Sequence, residues 1–168
     1  MKLRLLIICL LVSFSAVLAD SGRKKTRMYG ARNGKQFSST CNVLSEIRLY
    51  FDSSIIGVQP VCEGGKSNKL KGGMHGSLYK FQLKKGEFIT KINGTFSSSK
   101  EDEISSLEFV TNLGTSPVYG KKKDRAFSIS IPENARLVGF SGRYSPRFIK
   151  EKAVDEIVAI GGVYILQP

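Results

Sequence analysis

The chain has 168 residues, 26 Lys and Arg against 14 Asp and Glu, and a formal net charge of +12. That length suits one domain with one sizeable core. A single histidine, no tryptophan, no G-x-S-x-G elbow and no P-loop exclude the common hydrolase and nucleotide-binding signatures, so no enzyme is expected.

The first 19 residues read as a cleaved signal peptide. Lys2 and Arg4 supply the positive start, Leu5 to Val12 an apolar stretch, and Val17-Leu18-Ala19 a small-residue cleavage site. An uncleaved anchor would need about 20 apolar residues, and no later stretch is long and apolar enough to cross a membrane. The expectation is a secreted or lumenal protein, extracellular or held in a secretory granule. Cys9 leaves with the leader. Cys41 and Cys62 remain, an even count in an oxidising compartment, and a disulfide between them is expected; two separate buried thiols are the alternative. The bridge would close a loop of about 20 residues, worth roughly 3 kcal/mol.

Residues 20–27 form a basic arm, expected to be mobile, and 28–168 the folded domain. Period-two alternation then dominates. Val43, Ile47, Leu49 and Phe51 oppose Glu46, Arg48 and Tyr50. Tyr79, Phe81 and Leu83 alternate with Leu78, Lys80 and Gln82. Leu107 and Phe109 flank Glu108, and Phe127, Ile129 and Ile131 alternate with serines. Turn residues separate them at Lys84-Lys85-Gly86, Asn112-Leu113-Gly114 and Pro132-Glu133-Asn134. Further strands fit 55–62, 87–93, 136–140 and 157–166, and a short helix fits 149–157. The domain is therefore all-β; sandwich, barrel and prism remain open on pattern alone.

Cations cluster at Arg23-Lys24-Lys25, at Lys66, Lys69 and Lys71, at Lys121-Lys122-Lys123 with Arg125, and at Arg143, Arg147, Lys150 and Lys152. In a secretory compartment such clusters point to polyanions, sulfated glycosaminoglycans or mucins, rather than to nucleic acid. Solvated loop charge is the plainer alternative. His75 has no Cys or His nearby, so no metal site is expected. Asn93-Gly94-Thr95 is an N-glycosylation sequon whose use depends on its exposure.

Several stretches in order resemble the jacalin-type lectins: "YGARNGKQFS" (29–38), "EIRLYFDSSIIGVQP" (46–60), "EFITKINGTF" (87–96), "ISSLEFVTNLG" (104–114), "PVYGKKK" (117–123) and "LVGFSGRY" (137–144). The leader, the Tyr-Gly opening and "GKQFS" resemble the secreted vertebrate zymogen-granule branch. The resemblance implies a β-prism of three Greek-key, four-stranded sheets about a pseudo-threefold axis. It also implies a lectin that binds a neutral, mannose-like glycan at one end of the prism, without metal or cofactor. In such lectins an opening glycine loop and a late G-x-x-x-D loop clamp the sugar. Carried over, the site is Gly30 and Ala31 with Glu151, Lys152, Ala153, Val154 and Asp155, Asp155 being the acceptor of sugar hydroxyls. Glu151 stands where the motif has glycine, and Ala31 replaces the second opening glycine. Aligning on "AIGGVY" instead puts Val158 at the acid's place. A third loop, "SSSKEDE" (97–103), would flank the site, and its acidity disfavours an anionic sugar there. The alternative function is a polyanion-binding protein with a degenerate sugar site, using Lys121, Lys122, Lys123, Arg125, Lys66, Lys69 and Lys71.

Overall fold

The computed structural model describes residues 22–97, 103–149 and 151–167; the leader lies outside them. Among these residues fourteen strands form three sheets. Sheet A runs β1 (Arg23–Lys25), β14 (Lys152–Leu166), β13 (Ala135–Ile149), β3 (Lys35–Thr40), with β2 (Tyr29–Gly30) also on β14. Sheet B runs β6 (Lys71–Gly72), β5 (Ile55–Cys62), β4 (Leu44–Phe51), β7 (Ser77–Gln82). Sheet C runs β10 (Gly114–Thr115), β9 (Ile104–Thr111), β8 (Ile89–Phe96), β12 (Ala126–Ser130), with β11 (Tyr119–Gly120) also on β9. No α-helix occurs among the described residues.

The alternation read from the sequence orients these strands. Ile47, Leu49 and Phe51 of β4 enter the core, while Glu46, Arg48 and Tyr50 face outward. In β8, Ile89 and Ile92 are both buried although three residues apart, because a bulge against β9 lies between Ile89 and Lys91. Each sheet sends an aromatic ring to the axis. Phe109 of sheet C stacks on Phe81 of sheet B at 5.4 Å and meets Phe140 of sheet A at 6.3 Å. Three sheets around one apolar core make a β-prism.

Two expectations give way. Residues 23–25, read as a mobile arm, are an edge strand: Arg23, Lys24 and Lys25 pair with Ile165, Tyr164 and Val163, and Arg23 donates to the Asn42 side chain. The segment that follows packs flat on β14, where Gly161 leaves no side chain between the strand and Arg27 and Met28. The helix expected over 149–157 is instead the turn of a long antiparallel hairpin, with Ile149 opposite Lys152 and Tyr144 opposite Ile157. Cross-strand hydrogen bonds outweigh the local helix preference of Glu151, Lys152 and Ala153.

Cys41 and Cys62 form the expected disulfide. It joins the end of β3 to the end of β5, so it staples sheet A to sheet B. Replacing both cysteines with serine is expected to lower the unfolding free energy by roughly 3 kcal/mol, read as a lower midpoint in urea that reducing agent does not shift further.

Candidate functional site

Four chain segments meet at one end of the prism. The opening segment arrives on β2: Gly30 pairs with Ala159, and the Ala31 N–H donates to the Val158 carbonyl at 2.8 Å. Gly34 lies against the Tyr144 carbonyl and the Val158 side chain, and Arg143 donates to the Gly34 carbonyl at 3.4 Å. Loop 31–34 is thus seated on the base of the β13–β14 hairpin. The β8–β9 connection is closed at its root, where the Ser97 N–H donates to the Glu103 carbonyl (3.0 Å) and the Ser97 hydroxyl to the Glu103 carboxylate (2.6 Å). Residues 98–102 of that expected third loop fall outside the described residues. The β4–β5 turn brings Ser53 and Ser54 to the same end.

The hairpin is where this chain departs most from the loop expected at 151–155. It stays paired out to Ile149 and Lys152, so Lys152, Ala153, Val154 and Asp155 are strand residues. Glu151 stands at its tip with φ 65°, a left-handed conformation that no other described non-glycine residue adopts. The alignment that expects Asp155 as the acid sets Glu151 at the motif's glycine, and a left-handed conformation is one that glycine adopts without strain. Glu151→Gly is expected to raise stability by about 0.5–1 kcal/mol by removing that strain, measurable as a small rise in melting temperature.

Asp155 is exposed, faces Pro146 across the hairpin, and has no side-chain hydrogen bond or ion pair among the described residues. Strand alternation puts Phe148 and Ala153 on its face, both exposed. Its main chain rests on Gly73, where a β-carbon would stand 2.5 Å from the Asp155 carbonyl. The β14 residue that touches the opening loop is Val158, the extra residue of a bulge opposite Arg143 and Tyr144. Asp155 lies three residues further out, roughly 10 Å along the strand. The structure therefore brings Gly30 and Ala31 together with Val158 and Ala159. It sets Glu151 to Asp155 on a projecting ribbon above them.

Sequence reasoning missed the group next door. Glu156 is 2% exposed. It accepts hydrogen bonds from the Ser54 hydroxyl and, at 3.3 Å, from Arg147, which also reaches Ser53 and Ser54. Burial holds the Glu156 carboxyl above the usual range; Ser54 and Arg147 pull it down, and the charge of Glu103 pushes it up. This network ties the ribbon's base to the β4–β5 turn. The signal was strand parity: if Asp155 faces solvent, its neighbour faces inward.

The cation clusters separate. Residues 121–125 lie beside the β8–β9 connection: the Lys123 N–H donates to the Thr95 hydroxyl (3.1 Å), and the Phe96 N–H to the Arg125 carbonyl (2.9 Å). Lys66 lies by the disulfide, with its carbonyl accepting from the Cys62 N–H, and Lys69 follows Asn68, whose amide bonds Thr40 of sheet A. Lys71 pairs with Val58 in sheet B. Lys66 and Lys69 thus belong to the opposite end from Lys121, Lys122, Lys123 and Arg125. Asn93 of the sequon sits mid-strand in β8, its amide held by Ser128 and Glu108. No group of three or more potential metal ligands occurs among the described residues.

Comparison with known proteins agrees with this architecture. The family model for the jacalin-like lectin domain matches residues 26–154, and the chain belongs to that family. A mannose/glucose-specific lectin of Parkia platycephala is 32% identical over 125 residues, covering 68% of this chain and 28% of that protein. Jacalin-related lectin 5 of Arabidopsis thaliana is 32% identical over 105 residues, covering 62% of this chain and 13% of that protein. The chain thus spans well under a third of either relative. Among solved structures, a mannose-specific jacalin-related lectin from Morus nigra in complex with mannose superposes with TM-score 0.68 at 24% identity, covering 88% of this chain and 97% of that one. A single-substitution variant of Malaysian banana lectin superposes equally well, with TM-score 0.68 at 20% identity, covering 88% of this chain and 100% of that one. At these identities the likeness is one of fold. The family is one of carbohydrate-binding lectins.

Proposed function

We propose that this chain is a secreted lectin that binds neutral, mannose-like glycans without metal, at the end of the prism where the opening loop meets the β13–β14 hairpin. One observation carries the reading: the Ala31 N–H to Val158 bond seats loop 31–34 against the base of the strand that presents Asp155. Exposed backbone there can approach a ligand closely, and an unpaired carboxylate makes strong hydrogen bonds to hydroxyls. Because Asp155 stands out along the ribbon, a glycan touching both it and loop 31–34 needs more than one ring. The disulfide fits an oxidising compartment, and relatives named for mannose binding support the sugar class.

The second reading, a polyanion-binding protein, is favoured by Lys121, Lys122, Lys123 and Arg125 standing beside the same end. Immobilised mannan and heparin columns separate the two. The lectin reading expects elution from mannan by free mannose oligosaccharide and indifference to salt. The polyanion reading expects heparin retention that collapses with rising ionic strength, and no retention on mannan.

A further inference from the structure

The outer face of sheet C carries a second set of polar groups, built from three strands and belonging to none of the segments above. In register across the sheet stand Ser128 of β12, Asn93 of β8 and Glu108 of β9. The Ser128 hydroxyl donates to Asn93 Oδ1 at 3.0 Å, and Asn93 Nδ2 donates to Glu108 Oε2 at 3.0 Å. The two bonds fix the amide's orientation and aim the carboxylate. They form the floor of a groove of about 360 Å³, walled by Val118 and Lys122 and reaching Ala126. The wall is anchored too: the Thr95 hydroxyl, itself bonded to Ser105 and Ser106, accepts the Lys123 N–H and holds segment 121–123 over the sheet.

The chemistry narrows the ligand. A carboxylate offers about four acceptor positions, and Asn93 uses one. Glu108 can therefore accept from neighbouring hydroxyls while the Lys122 ammonium donates to others, and Val118 and Ala126 give apolar surface for a C–H face. A phosphate or sulfate would meet the Glu108 charge at the floor. A nucleobase or other flat aromatic would want an open ring to stack on, and Phe127 beside the groove is buried. The volume is at the lower limit for small-molecule sites, which leaves room for one ring. We infer that this groove is a second carbohydrate site, taking a single neutral monosaccharide unit through Glu108, Asn93 and Lys122. It shares no residue with loop 31–34 or the β13–β14 hairpin, so it stands or falls separately from the lectin reading proposed there; of the cations in the polyanion reading it uses Lys122 alone. With both sites filled, one chain would engage two branches of a glycan surface and gain avidity.

The test is a ¹H–¹⁵N titration of the protein with methyl α-mannoside, methyl β-galactoside and N-acetylglucosamine, each to tens of millimolar. At least one sugar is expected to give saturable shifts at the amides of Asn93, Glu108, Lys122 and Ala126, and the same shifts in Asp155→Ala. Glu108→Gln keeps the shape, removes the charged acceptor and should weaken that binding about tenfold. Ala126→Tyr, at an exposed edge position, fills the groove and should abolish it. Thermal melts confirm that each variant folds, and Glu108→Gln decides alone if Ala126→Tyr does not. No saturable shift with any of the three sugars, or binding undiminished in Glu108→Gln or Ala126→Tyr, overturns the inference. So does an N-linked glycan on Asn93 of the protein secreted from eukaryotic cells, because it would occupy the groove.

Discussion

Gly30→Ala is expected to lose about 3 kcal/mol of stability and all glycan binding at the prism end. Gly30 has φ +119°, a conformation that side chains rarely adopt, and an added β-carbon would stand 2.2 Å from the Val158 carbonyl and 2.7 Å from the Ala159 α-carbon. Both obstacles are backbone of the central strand of sheet A, so neither moves cheaply. The strand must separate from β14, which breaks the Gly30–Ala159 pairing and the Ala31–Val158 hydrogen bond together. Backbone strain of this kind costs on the order of 1–3 kcal/mol, with the lost pairing added. Gly86→Ala is the control. That residue also has positive φ, 78°, but nothing lies within 4 Å of an added β-carbon, so the expected loss is only about 1 kcal/mol and glycan binding is unchanged. Urea unfolding of the two variants makes the comparison. Equal losses would mean that close packing under the opening loop contributes nothing.

The second large effect belongs to Arg147. Removing it leaves Glu156 buried with only Ser54 for a partner, and Arg147→Ala is expected to cost about 2 kcal/mol at neutral pH. Breaking a fully buried pair costs about 3–5 kcal/mol; the Arg147 side chain is 33% exposed and water softens the loss. The pH dependence follows from the direction of the Glu156 shift. Its pKa in the folded protein is raised above the ordinary 4.5, first by burial. Its contribution to stability is therefore fully present below the unfolded value and is lost as pH rises through the folded one. Arg147→Ala removes a group that lowers this pKa, so the loss should extend to higher pH. The deficit of the variant should shrink on acidification and be close to absent in a Glu156→Gln background. Unfolding curves at a series of pH values, with Glu156→Gln as reference, test both. A deficit that does not change with pH, or one that persists in Glu156→Gln, would show that Arg147 acts through packing alone.

Much of the fold was legible because it rests on alternation, which is local. Strand 55–62 was read to its observed ends, and β4, β7, β9 and β12 were found within a few residues. The failures share one cause, pairing between distant residues. Residues 149–157 hold good helix formers, yet each residue from Lys152 to Ile157 has a partner on β13 between Tyr144 and Ile149. The basic arm became a strand because β14 offered an unpaired edge. The opening glycine of the candidate site was legible because glycine marks a backbone constraint. The placement of Asp155 relative to it was not, because it depends on the bulge at Val158 and on how far the hairpin stays paired. Glu156 looked like more surface charge beside Asp155 until strand parity turned it inward. The Ser128–Asn93–Glu108 row joins residues up to 35 positions apart in sequence, and only sheet register aligns them.

If the hairpin base and ribbon hold glycan through Asp155 as proposed, a glycan array probed with wild type and Asp155→Ala shows it most directly. Asp155 is exposed and has no side-chain partner among the described residues, so the substitution should leave the melting temperature unchanged. Wild type is expected to bind mannose-containing neutral glycans larger than one ring, and Asp155→Ala to bind them at least tenfold more weakly, the scale of one lost charge-assisted hydrogen bond. Identical glycan profiles of equal strength from the two proteins would contradict it.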